Sequence, residues 1–398
     1  MNQAVKLKKA ESTRQFANQI LKVQLLVVAL YFLAIPFKNA FFTHYLLLFG
    51  TFLSMYCIAS ILILNGLRAD RLLAILLLVI TAMISLLLSI SYLRSGLLYS
   101  LVCFFFLAVM ISVNDFFEIR AEFIQFVFFV ALLMAVIVSV YSFLPFAYWR
   151  DNGTTAPTLT LNLGNSNYAG VLLLNILCLL WITSYGGKHH HWLVYLLMAY
   201  LLYLIWRTGS RTCILGSAVF MVLSMLRSDR PIPHWIAAGC MAVPVAFVPF
   251  YLWLFGKSQY WGVRILGKSL FTGREDTYTM CLSKLSRPWH WFVGNLCEAG
   301  LQNAHNAPLA VLCSLGLIGA VLYFGLFFRV VWINNSAVTN PTARAAVAAL
   351  LTICVGSCGE ASMFLGGFPG VSFLFLFLWL SNYRPASEEG ASKCTPGS

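Results

Sequence analysis

FIQFVFFVALLMAVIVSVYSFL, residues 123–144, carries no charged side chain and has only scattered polar ones. A stretch of about 20 apolar residues is long enough to cross the hydrocarbon core of a bilayer as a helix. Backbone in lipid must satisfy its own hydrogen bonds, which leaves helices and closed barrels. This run is too long and too continuously apolar for a barrel strand, so it reads as a helix. Its length and lack of charge decide the fold class, because similar runs recur along the whole chain.

Working outward, apolar runs precede it at 23–36, 44–64, 72–92 and 96–113. Further runs follow at 168–185, 192–206, from just after Arg211 to 226, and at 235–255, 307–328, 345–359 and 366–381. The composition agrees. Of the 398 residues, 60% are hydrophobic and 10% charged, against roughly 25% charged in soluble domains. The expected fold is an all-α polytopic transmembrane bundle of about 12 spans. A basic tail, 1–22, leads into a first helix that is retained rather than cleaved as a signal peptide. The membrane domain is 23–381, and 382–398 is a polar tail.

The net charge of +13 is a topology signal. Cytoplasmic loops collect Lys and Arg, and no aromatic-basic module for nucleic acid accompanies them. With the N-terminus inside, alternation puts Arg68 and Arg71, Lys188, Arg227 and Arg230, and Arg329 and Arg344 inside as well. It puts 145–167, 207–211, 256–306 and 360–365 outside. The turn His189-His190-His191 reads as a solvated cytoplasmic corner. The outer loop 256–306 is the longest polar stretch. Within it, Tyr278, Cys281, Leu282 and Leu285 recur at helical spacing, which predicts an amphipathic helix after Thr272-Gly273-Arg274-Glu275-Asp276 that ends at Pro288. Glu275 and Asp276 suit the start of that helix.

Most of the 11 cysteines lie in apolar runs, and none has zinc-site spacing. Cys281 and Cys297 share the loop, and an oxidising exterior leaves their pairing open. Several arginines fall on the outer side: Arg150, Arg207, Arg211, Arg264, Arg274 and Arg287. A cation at membrane depth is costly and marks a partner or a pathway, whereas one at the boundary can snorkel. Guanidinium holds phosphate through paired hydrogen bonds. Without a nucleotide-binding fingerprint, the anion to expect is a lipid phosphate or diphosphate. His305, at the mouth of the 307–328 run, is a candidate general base, since imidazole exchanges protons near neutrality. The alternative is an ordinary interfacial histidine.

Four local patterns resemble the O-antigen ligase and O-antigen polymerase superfamily of membrane glycosyltransferases. They are Gly164-Asn165-Ser166-Asn167-Tyr168-Ala169; Gly209-Ser210-Arg211; Thr272-Gly273-Arg274 with Pro288 and Gly294; and Ala304-His305-Asn306-Ala307-Pro308-Leu309 with Gly316 and Gly319. Ser166 stands where Pro is common, and the loop is short for the superfamily, which leans towards a polymerase over a ligase.

The resemblance implies an enzyme of a bacterial inner or plasma membrane, without cofactor or metal. Its donor would be a glycan on an undecaprenyl-diphosphate-type lipid, and its acceptor another glycan or a glycolipid. Arg211 and Arg274 would grip the diphosphate, and His305 would take the acceptor's proton. Arg207, Asn306, Asn167 and Glu360 would line the substrate or orient His305. A flippase or transporter of the same lipid-linked glycan is the alternative. It calls for charges deep in several spans and for symmetric halves, whereas the polar groups here gather at one face.

Overall fold

Where they are described, the apolar runs form helices in the computed structural model, which describes residues 3–35, 69–88, 121–149, 157–186, 192–225, 230–265, 268–271, 273–295, 304–360 and 368–383. In chain order the helices are α1 (Gln3–Ala34), α2 (Ala69–Leu88), α3 (Ala121–Tyr141), α4 (Ser166–Gly186), α5 (Trp192–Thr208) and α6 (Arg211–Met225). They continue with α7 (His234–Phe255), α8 (Arg274–Ser283), α9 (Pro288–Val293), α10 (Ala307–Ser336), α11 (Pro341–Gly356) and α12 (Phe368–Leu380). Among the described residues, α3, α4 (over 166–184), α7 and α10 are long and apolar enough to cross a membrane. Residues 22–34, α5, α6 and α11 form shorter apolar helices. The chain is a membrane protein built of helices. The runs expected at 44–64 and 96–113 lie outside the described residues, as do Arg150 and the histidine corner.

The axis of the bundle is α11. Every residue from Thr342 to Gly356 is buried, and α4, α6, α7 and α12 pack around it. Its alanines allow that, because small side chains let neighbouring helices approach closely when lipid supplies no hydrophobic drive. Both α10 and α11 begin at asparagine caps. Asn306 Oδ1 accepts from Leu309 N at 2.8 Å and Asn340 Oδ1 from Ala343 N at 2.9 Å, each satisfying a helix-end donor that has no partner in its own helix.

One expectation changes at the ends of these helices. The loop read at 329–344 shrinks to a turn, because α10 runs on to Ser336 and α11 starts at Pro341. Arg344 is therefore not a loop cation. It is 2% exposed, and its guanidinium donates to the carbonyls of Arg230 and Leu223. Leu223 lies in the last turn of α6, where carbonyls lack partners in their own helix. At the other end of the chain, the basic stretch read as a tail at 1–22 is helical from Gln3 and continuous with the first apolar run.

The loop 256–306 is largely folded. A short hairpin pairs β3 (Arg264–Ile265) with β4 (Lys268–Ser269); an earlier one pairs β1 (Tyr148–Trp149) with β2 (Thr158–Leu159). The predicted amphipathic helix is α8, which ends at Ser283, before the expected Pro288. It buries Glu275, Tyr278 and Cys281, and Leu285 just beyond it is buried too. Cys281 carries a thiol rather than half of a disulfide, and it packs against Cys313 of α10. Cys297 lies outside the described residues.

The chain then locks onto α10 through two glycines. A Cβ built on Gly294 falls 2.3 Å from the Ser314 carbonyl carbon, and one built on Gly316 falls 2.2 Å from that of Phe292. Both glycines take positive φ, and Gly316 breaks the α10 helix. The end of α9 sits in that break.

Candidate functional site

The site forms where the loop helix meets the far end of α11. Glu275 fixes the start of α8: its Oε1 accepts from Gly273 N at 3.1 Å and its Oε2 from the Tyr251 hydroxyl at 3.2 Å. The adjacent Arg274 is thereby aimed at the turn following α11. There Arg274 Nη2 donates to Glu360 Oε1 at 3.0 Å. Glu360 is almost fully buried, while Arg274 keeps 21% of its side chain exposed. A carboxylate buried to this degree needs a partner, and the guanidinium provides one.

The second oxygen of Glu360 faces His305, with Oε2 3.9 Å from Nδ1. That separation is within ion-pair reach and too long for a hydrogen bond. The imidazole is 37% exposed. His305 has φ of 49°, a left-handed conformation uncommon for a residue with a side chain. The next residue, Asn306, is fully buried. Besides capping α10, its Nδ2 donates to Pro244 O at 3.0 Å and Cys358 O at 3.2 Å. Asn306 thus ties α7, α10 and the turn after α11 together, and its amide is spent within the protein.

Arg211 comes to the same place from the head of α6. Its Nη1 donates to Ser269 O on β4 at 2.8 Å, and the charge of Arg274 is close enough to act on it. Thr212 and Arg274 both lean on Gly359: a Cβ there would sit 2.5 Å from Thr212 Oγ1 and 2.9 Å from Arg274 Nη1. Tyr278 lies beneath the cluster. It is fully buried, its hydroxyl has no hydrogen-bond partner among the described residues, and burial pushes its pKa above the ordinary phenol value.

The structure therefore brings together Arg211, Arg274, His305 and Glu360. Two expected members stand apart. Arg207 turns to a group of tyrosines, donating to the Tyr203 hydroxyl at 2.8 Å and stacking over the rings of Tyr148 and Tyr203. Asn167 lies in the first turn of α4, where its carbonyl faces the Cys213 thiol at 3.8 Å; its side chain makes no hydrogen bond to the cluster. Of the other outer arginines, Arg264 is on the exposed hairpin and Arg287 stacks on Trp289.

Sequence reading missed Gly359, Thr212, Tyr251 and the cap role of Glu275. Of these, only Gly359, in a stretch rich in glycine and proline, and Glu275, at an acidic helix start, carried any signal. Among the described residues no three His, Cys, Asp or Glu side chains gather closely enough to share a metal ion.

Chemically, the cluster offers two cations for an anion, an accessible imidazole and a buried carboxylate between them. Comparison with known proteins adds no relative to this picture: no family model, no curated protein and no solved structure matches the chain.

Proposed function

We propose that the protein is a membrane glycosyltransferase that moves a glycan from a polyprenyl diphosphate to an acceptor sugar hydroxyl at the outer face of a bacterial inner or plasma membrane, through about 12 spans. The observation that carries this reading is the meeting of Arg211, Arg274, His305 and Glu360, from distant parts of the chain, at one end of α11. Diphosphate is the leaving group whose charge two guanidinium groups match.

In the proposed reaction the acceptor oxygen attacks the anomeric carbon. The bond from that carbon to the diphosphate breaks, and the lipid diphosphate leaves with both electrons. Arg211 and Arg274 stabilise the charge as it develops, the electrostatic route to a lower barrier. His305 takes the acceptor's proton on Nε2, since Nδ1 faces Glu360. Glu360 is too buried to meet substrate; it holds Arg274 and steadies the imidazolium that forms.

The test uses purified protein with a lipid-linked repeat unit as donor, reading chain growth or transfer to a second glycolipid. His305→Ala and Arg274→Ala should each lose at least about 100-fold in rate, the scale of general-base and oxyanion contributions, while still inserting into membranes. Full activity in both variants rejects the assignment. Chain growth identifies a polymerase, and transfer to another carrier a ligase.

A further inference from the structure

The arms of the cluster are joined a second time, away from the reacting groups. Arg274 opens α8, and His305 immediately precedes the Asn306 cap of α10. About two helical turns beyond each lies a cysteine, Cys281 on α8 and Cys313 on α10. Both are 1% exposed. The Cys313 thiol lies 3.4 Å from the Cys281 carbonyl oxygen, and the two side chains are in hydrogen-bond contact. That contact, together with the Lys284 charge and against the effect of burial, lowers the Cys281 pKa from its ordinary value. A lower pKa favours the thiolate that exchange chemistry needs.

We infer that Cys281 and Cys313 are a disulfide-forming pair, which closes when the loop meets an oxidising exterior and clamps the Arg274 helix to the helix that carries His305. Thiols facing such a compartment are oxidised, whereas cytosolic thiols are held reduced. In the exchange, local opening of α8 from α10 lets the Cys281 thiolate attack a disulfide-bearing oxidant of that compartment and form a mixed disulfide. The Cys313 thiolate then displaces the oxidant, which leaves as a dithiol carrying the two electrons, while the cysteines give up their two protons. The closed bond would hold Arg274 and His305 in register, so reductant would loosen the site without touching it. This inference rests on the outward placement of the loop and not on the transfer chemistry.

The test takes the full chain from its native membrane, unfolds it in denaturant with N-ethylmaleimide present, and maps its peptides with and without dithiothreitol. The expected result is a Cys281–Cys313 linked peptide that disappears on reduction, with a melting temperature several degrees lower in the reduced protein. In Cys313→Ser the melting temperature should no longer respond to dithiothreitol. Both cysteines blocked by maleimide before reduction would overturn the inference, as would Cys281 recovered joined to Cys297. Should the variant fail to fold, the wild-type peptide map decides alone. If reduced thiols are found while the loop labels from outside, the disulfide falls and the transferase stands; if the loop labels only from inside, both fall.

Discussion

His305 and Asn306 are adjacent, and their side chains do different work. The imidazole is partly exposed and only loosely approached by Glu360, while the amide is buried and spent on a cap and two carbonyls. His305→Gly removes the imidazole and relieves left-handed strain, while the freer unfolded chain costs a similar amount, so stability should move by less than about 1 kcal/mol. Asn306→Ala loses the cap and strands buried carbonyls, costing at least about 2 kcal/mol. Thermal melts of the two variants beside the transfer assay separate them: His305→Gly inactive and as stable as the parent, Asn306→Ala several degrees less stable. A His305→Gly that melts as far below the parent as Asn306→Ala would make His305 a structural residue. The sequence marked both positions but not this division of labour, because a cap is visible only once the helix boundary is known.

Among the elements, the α9–α10 contact depends on backbone meeting backbone at Gly294 and Gly316. A methyl group at either position has to displace main chain, so Gly294→Ala and Gly316→Ala should each destabilise by about 3 kcal/mol or more. Gly325, on the same helix, has open space where its Cβ would be, and Gly325→Ala should be neutral or stabilising by about 0.5–1 kcal/mol. Folded yield and melting temperature of the three variants check this, and equal behaviour would sink it. The helices themselves were legible, since long apolar runs without charge allow little else in lipid. The end of α10 was not, because Arg329 reads as a loop residue although its exposed side chain tolerates a helix beneath it. Nor was the fate of Arg207: spacing joined it to Arg211, whereas Tyr203, one turn earlier on its own helix, and Tyr148, from the β1 hairpin, hold it. For the same reason the glycines appeared as marks in a pattern, with nothing local to say that they touch.

On the scale of the molecule, α11 separates two polar ends by about 24 Å at 1.5 Å per residue, somewhat less than the roughly 30 Å of a bilayer core. One end holds Arg344 against the carbonyls of Arg230 and of Leu223 in α6, and Arg329 lies near the same end of α10. The other holds Arg211, Arg274, His305 and Glu360. Both are cationic, so the positive-inside rule assigns them only through the alternation of all the spans, and that alternation passes through segments outside the described residues. A direct measurement replaces the count. Ser283, exposed at the end of α8, and Ser336, exposed at the end of α10, lie towards these two ends. Changed singly to cysteine and treated in intact cells with a membrane-impermeant maleimide, Ser283→Cys should label above the parent chain, and Ser336→Cys only after the cells are opened. The reverse pattern would place the arginine–histidine cluster in the cytoplasm. There it would no longer face the outer surface, and the transfer reaction would have to be abandoned even though every distance in the cluster stayed the same.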